Sequence, residues 1–149
     1  FRSVGMMTSV LTPFECGSIT KLYSKDRANK YFAHNMVVFF AGGTGHPYFS
    51  TDTGITLRAV EMDADCILLA KSIDGVYDSD PKTNPNAKKY DVVSFHEVLN
   101  KDLAVMDSTA ASLCKDNKLP VLVFSLEDPE NIYRAVCGEN IGTVVDAID

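Results

Sequence analysis

A chain of 149 residues with 46% hydrophobic and 23% charged residues is expected to form one compact domain rather than two. Its net charge of −6 and scattered Lys and Arg exclude a duplex nucleic-acid binder, which needs a concentrated positive face. No apolar run approaches the roughly 20 residues of a membrane-spanning helix, so no membrane partner is expected.

In chain order, "TSVL" (8–11) is a short strand candidate. "SKDRANKYFAHN" (24–35) opens on a Ser able to cap a helix and closes at His34-Asn35. "MVVFFA" (36–41) reads as a buried parallel-type strand, as do "CILLA" (66–70) and "VLVFSL" (121–126). Between the first two lies a glycine loop and then a helix, expected from about Asp52 to Met62 with Leu57, Val60 and Ala64 along one stripe.

"SIDGVYDSDPKTNPNAKKY" (72–90) carries Asp74-Gly75 and two prolines, so most of it cannot be regular structure. A loop of that length is functional or disordered, and it follows the carboxyl end of a strand, where open α/β sheets place ligands. Ser94 and Glu97 form a capping box for the next helix. Asp107 caps "DSTAASLCKDN", which is predicted to bury Leu113 and Cys114. Asp128-Pro129 opens the last helix and Gly138 stops it. "GTVV" (142–145) is a final short strand. The alternation of strands and helices predicts an α/β layered fold.

Cys16, Cys66, Cys114 and Cys137 are far apart and form no CxxC pair, which predicts buried thiols rather than a disulfide framework. The first residues lack the layout of a signal peptide, and a cytoplasmic location is expected. The three histidines show no metal-ligand spacing, so no protein metal site is predicted.

The chemistry concentrates in "VVFFAGGTGHPYFSTDT" (37–53). A strand that opens through Gly42, Gly43 and Gly45 can turn with positive φ and let a ligand approach the backbone without meeting a Cβ. The helix that follows begins near Ser50-Thr51-Asp52, and the amides at such an end favour an anion. The spacing is neither GxGxxG nor GxxxxGK[ST], which excludes a dinucleotide fingerprint and a P-loop.

This stretch resembles the nucleotide-binding segment of bacterial uridylate kinases, members of the amino-acid kinase superfamily, whose core is commonly written A-G-G-T-G-N-P-F-F-T-T-D. The resemblance continues in register through "DGVYDSDP", "VMDSTAASLCKDNKLPVLVF" and "RAVCGENIGTVV", from about residue 36 to 145, and more loosely through "RSVGMMTSVLTPFE". It implies a three-layer αβα sandwich with a mainly parallel sheet. Residues up to about 50 would then be the remainder of a UMP-binding lobe, and those from about 51 to 149 an ATP-binding lobe. It implies transfer of the γ-phosphoryl group of ATP to UMP, with Mg²⁺ on the nucleotide. The matching positions for UMP are Gly43, Thr44, Gly45, His46, Pro47, Tyr48, Phe49, Ser50 and Thr51. Asp52 matches an acid that orients a catalytic lysine, and Asp107 an acid near the transferring phosphate and its metal. Lys71, Tyr77 and Asp80 match positions that hold ATP. The partners implied are UMP, ATP and further copies of the chain, the intact family being hexameric.

The chain departs from the family in three places. His46 stands where Asn is usual. Leu69 lies where many members have Lys, and Lys71 and Ser72 replace a Thr-Lys pair. Nothing matches the family's opening strand and its Lys-bearing glycine loop, so the chain is expected to be a C-terminal portion with little activity alone. Two alternatives stay open: a non-catalytic nucleotide-binding or regulatory protein, and a relative phosphorylating a carboxylate or carbamate. Asp52 and Asp107 also suit ordinary helix caps, and Tyr77 simple packing.

Overall fold

Strands β1 (Thr8–Thr12), β2 (Lys21–Leu22) and β3 (Val37–Phe40) form an all-parallel sheet in the order β2-β1-β3. Leu11 pairs with Phe40, so β1 and β3 end side by side. The computed structural model describes residues 1–147 and divides into two units, Phe1–Asp63 and Ala64 onward; this sheet belongs to the first. Helix α1 (Lys25–Phe32) starts where the Ser24 hydroxyl accepts from the Arg27 amide at 3.2 Å. It stops earlier than predicted, and Asn35 (φ 54) turns the chain into β3.

Helix α2 (Thr51–Glu61) is capped by Ser50, whose hydroxyl accepts from the Thr53 amide at 3.1 Å. Its buried face is Thr53, Gly54 and Thr56, while Leu57 and Val60 are half-buried and Ala64 lies beyond the helix. The small face wins because the helix approaches the glycine loop closely. A Cβ on Gly54 would stand 3.2 Å from the Gly43 Cα. Thr56 is buried without an unmet polar atom, since its hydroxyl donates to the Asp52 carbonyl at 3.0 Å. The far end of α2 is tied to the β2–α1 junction. The Tyr23 hydroxyl donates to Glu61 at 2.6 Å and the Arg58 guanidinium lies 3.9 Å above the Tyr23 ring. Burial, and then the bond to Glu61, push the Tyr23 hydroxyl up to about 12. The first unit ends after α2, at Asp63.

In the second unit, β4 (Ile67–Lys71), β5 (Val92–Ser94), β6 (Val121–Ser125) and β7 (Thr143–Asp146) are ordered β4-β6-β7-β5. β4 pairs parallel with β6, and β5 with β7, but β7 runs antiparallel to β6. Among the described residues, four of the five strand pairings are thus parallel, as the predicted α/β class requires. Helices α3 (Phe95–Asn100), α4 (Ser108–Asp116) and α5 (Glu130–Val136) accompany this sheet. Its core holds Phe95, Val105, Cys114, Val121, Val123, Phe124 and Val145.

Position in the sheet explains where burial departs from expectation. β6 is internal and mostly buried, whereas β3 and β4 are edge strands that leave Phe39 and Leu68 exposed. Cys66 falls just before β4 and is exposed, as is Cys137; Cys16 is half-buried and Cys114 is the buried thiol. Leu113 is half-buried.

The long segment after β4 is an ordered hairpin-like loop. Tyr77 and Lys89 form an antiparallel bridge, and the amides of Asp78 and Tyr90 donate to the carbonyls of Lys88 and Val76. One buried hydroxyl closes both ends: Thr143 accepts from the Val76 amide at 2.9 Å and donates to the Tyr90 carbonyl at 2.5 Å. Among the described residues no helix is long and apolar enough to cross a membrane.

Candidate functional site

From the paired ends of β1 and β3 the chain leaves through Pro13-Phe14 on one side and Gly42 to Gly45 on the other. The buried Thr12 hydroxyl donates to the Phe14 carbonyl at 2.8 Å and lies 2.6 Å from the Thr20 hydroxyl, which fixes the course of the first exit. Gly42 and Gly45 are left-handed, at φ 87 and 79, and both face that exit. A Cβ on Gly42 would stand 3.1 Å from the Phe14 ring, and one on Gly45 2.8 Å from the Pro13 Cβ. Two of the three glycines therefore permit close packing within the chain. Gly43 differs, because a Cβ there would meet nothing within 4 Å.

What remains between these segments is an open hollow of about 520 Å³. Phe14 and Phe49 supply aromatic surface, the glycine loop with Thr44 and His46 one wall, and Ser50-Thr51 at the head of α2 another. Sites for small ligands commonly have this size, with apolar walls and a few polar groups. The Thr44 hydroxyl bonds within the loop, accepting from the His46 amide at 3.1 Å. Asp52, in the first turn of α2, is half-buried and suitably charged for a helix start. Pro47 and Tyr48 lie outside the lining; Tyr48 is fully exposed in a left-handed conformation, φ 70.

The first unit thus gathers Gly43, Thr44, Gly45, His46, Phe49, Ser50 and Thr51 around one hollow, and adds Phe14. Sequence reasoning missed Phe14. Its signal was position: a Pro-aromatic pair at the carboxyl end of a parallel strand, where such sheets place ligands.

In the second unit, Lys71 ends β4 and its ammonium donates to the Val105 carbonyl, so a cation stands beside the turn that leads into Asp107. The Asp107 carboxylate caps α4, accepting from the amides of Thr109 at 3.0 Å and Ala110 at 3.1 Å. Tyr77 donates to Asp74 at 2.8 Å, and Lys89 meets the other oxygen of that carboxylate at 3.2 Å. Burial pushes the Asp74 carboxyl up, but the bonds from Tyr77 and Lys89 outweigh it and hold the group below its ordinary range. The bond to Asp74 also pushes the Tyr77 hydroxyl up. Asp80 accepts from the Lys82 amide at 2.9 Å and shapes the loop tip. Tyr77 and Asp80 therefore share one loop, and Lys71 shares the neighbourhood of Asp107.

The chain is similar over its length to solved structures of known proteins. UMP kinase from Ureaplasma parvum matches at 38% identity and a TM-score of 0.92, covering 97% of this chain and 62% of that one. UMP kinase from Bacillus anthracis matches at 34% identity and a TM-score of 0.92, over 97% of this chain and 59% of that one. Uridylate kinase from Archaeoglobus fulgidus matches at 33% identity and a TM-score of 0.67, over 82% of this chain and 57% of that one. The chain thus spans about three fifths of the length of these relatives. The model of the amino acid kinase family matches residues 1–125, most of the sequence, and the chain belongs to that family.

Proposed function

We propose that the full-length protein transfers the γ-phosphoryl group of ATP to UMP, giving UDP and ADP. The observation that carries this reading is the hollow at the ends of β1 and β3, which joins aromatic surface to a glycine loop and the head of an 11-residue helix. A nucleoside monophosphate has the matching two ends, a flat ring and a dianion. Backbone amides of Gly43 to Gly45 and the first turn of α2 suit the phosphate. Thr44, His46, Pro47, Tyr48, Phe49, Ser50 and Thr51 complete the acceptor segment. Two relatives with TM-scores of 0.92 are named as UMP kinases, which supports the choice of acceptor.

In the transfer, a phosphate oxygen of UMP attacks the γ-phosphorus while the bond to the β,γ-bridging oxygen breaks and ADP leaves. The protein's task is in-line alignment and cancellation of spreading negative charge. Lys71, Tyr77 and Asp80 are assigned to ATP. Asp52 and Asp107 would repel phosphate if they met it directly, so they act through a lysine or through Mg²⁺. The Mg²⁺ of this reading arrives on ATP and keeps most of its waters. A homo-oligomer in the cytoplasm accompanies this reading.

A coupled phosphotransfer assay on the full-length protein, with UMP, CMP and AMP as acceptors, tests it. UMP should be strongly preferred, and equal turnover of CMP or AMP would remove the uridylate assignment.

A further inference from the structure

Phe14 combines two properties that core packing does not explain. It is 50% exposed, yet its position is fixed. Its carbonyl accepts from the Thr12 hydroxyl, which is buried and shared with Thr20. Its ring lies so close to Gly42 that a single methyl group there would stand 3.1 Å away. An apolar ring held by buried polar contacts and turned to an open hollow is a preorganised surface. It costs a ligand little ordering on binding.

The topology says which part of a ligand it meets. Phe14 and Gly42 each lie two residues beyond the ends of adjacent parallel strands, at Thr12 and Phe40. The Gly43–Gly45 segment and the head of α2, whose end favours an anion, form other walls of the same hollow. A phosphate drawn to those walls leaves the rest of its molecule against Phe14 and Phe49.

We infer that Phe14 is a specificity-determining residue: its ring is the face on which the base of the acceptor nucleotide lies, so the hollow selects phosphate esters that carry a flat ring. This rests on the acceptor reading given above. Stacking on an aromatic face tolerates any base, so Phe14 separates nucleotides from sugar phosphates rather than one base from another.

The test is calorimetric titration of the full-length protein with UMP and with ribose 5-phosphate, the same sugar phosphate without its base. Wild type, F14Y, F14L and F14A are compared. F14A and F14L should bind UMP roughly tenfold to a hundredfold more weakly and ribose 5-phosphate within about twofold of wild type, while F14Y retains UMP binding. Leu keeps apolar bulk without a flat face, so it separates stacking from simple filling. UMP binding by F14A within about twofold of wild type would overturn the inference. So would an equal fall for both ligands, which would make the ring a support for the Gly42 turn. A wild-type protein that binds UMP no better than ribose 5-phosphate would instead remove the acceptor reading, and this inference with it.

Discussion

Replacing Thr143 by Val tests whether one hydroxyl closes the loop between Val76 and Tyr90. Val keeps the shape of Thr, so the substitution opens no cavity and removes two hydrogen bonds alone. The Val76 amide, 2.9 Å from the hydroxyl, loses its acceptor in a buried setting, and the Tyr90 carbonyl loses a donor at 2.5 Å. At about 1–2 kcal/mol for each interior group left without its partner, the loss is roughly 2–4 kcal/mol. That is a large share of the roughly 5–15 kcal/mol that holds a domain folded. Urea unfolding followed by circular dichroism should show a lower midpoint with an unchanged slope. T143S keeps the hydroxyl, gives up one methyl group and should lose about 1 kcal/mol. Trypsin should cut faster at Lys82, Lys88 and Lys89 in T143V, because the bridge between Tyr77 and Lys89 must then hold the loop without its latch. A T143V protein within about 0.5 kcal/mol of wild type, or a T143S protein equally destabilised, would refute the role given to the hydroxyl.

Asp107→Asn keeps a good helix cap, so stability should stay within about 0.5 kcal/mol; if Asp107 serves the transfer, kcat of the full-length protein should fall about a hundredfold or more. An unchanged kcat would leave Asp107 as the cap of α4. Gly43→Ala should cost about 1–2 kcal/mol for its left-handed backbone alone. Gly45→Ala meets the Pro13 Cβ at 2.8 Å as well and should cost about 1–3 kcal/mol more in urea titrations; equal losses would contradict the close packing described. The Tyr23 hydroxyl, pushed up to about 12 when folded, lends stability that is complete below its unfolded value near 10 and is lost as pH rises from there toward about 12. Y23F should flatten that alkaline slope in unfolding midpoints, and an unaltered slope would assign it to other groups.

Sequence patterns found the strands that carry long apolar runs, and they found the caps, because Ser24, Ser94 and Asp107 act locally. They failed where the answer lies in a partner distant along the chain. The short strands β2 and β5 exist by pairing with β1 and β7 rather than by their own composition. The reversed direction of β7 relative to β6 is a fact of topology that no period in "GTVV" encodes. The stripe expected on α2 assumed that large apolar residues face inward, but close approach to Gly43 selects Gly54 and the small threonines. The glycine loop was legible as a candidate site from its spacing and resemblance, and it lines the hollow. Its neighbour Phe14 was not, because it reaches Gly42 only through the pairing of β1 with β3, which sets Leu11 beside Phe40.

The tie between Tyr23, Arg58 and Glu61 has a mechanical consequence. α2 carries its candidate ligand contacts at one end and is moored at the other by a hydrogen bond and a stacked guanidinium. A rod fastened at its rear cannot swing at its front without straining that mooring. Accommodation to an arriving molecule therefore falls to side chains ahead of the helix, while the rod, packed through Gly54 against Gly43, stays a fixed reference.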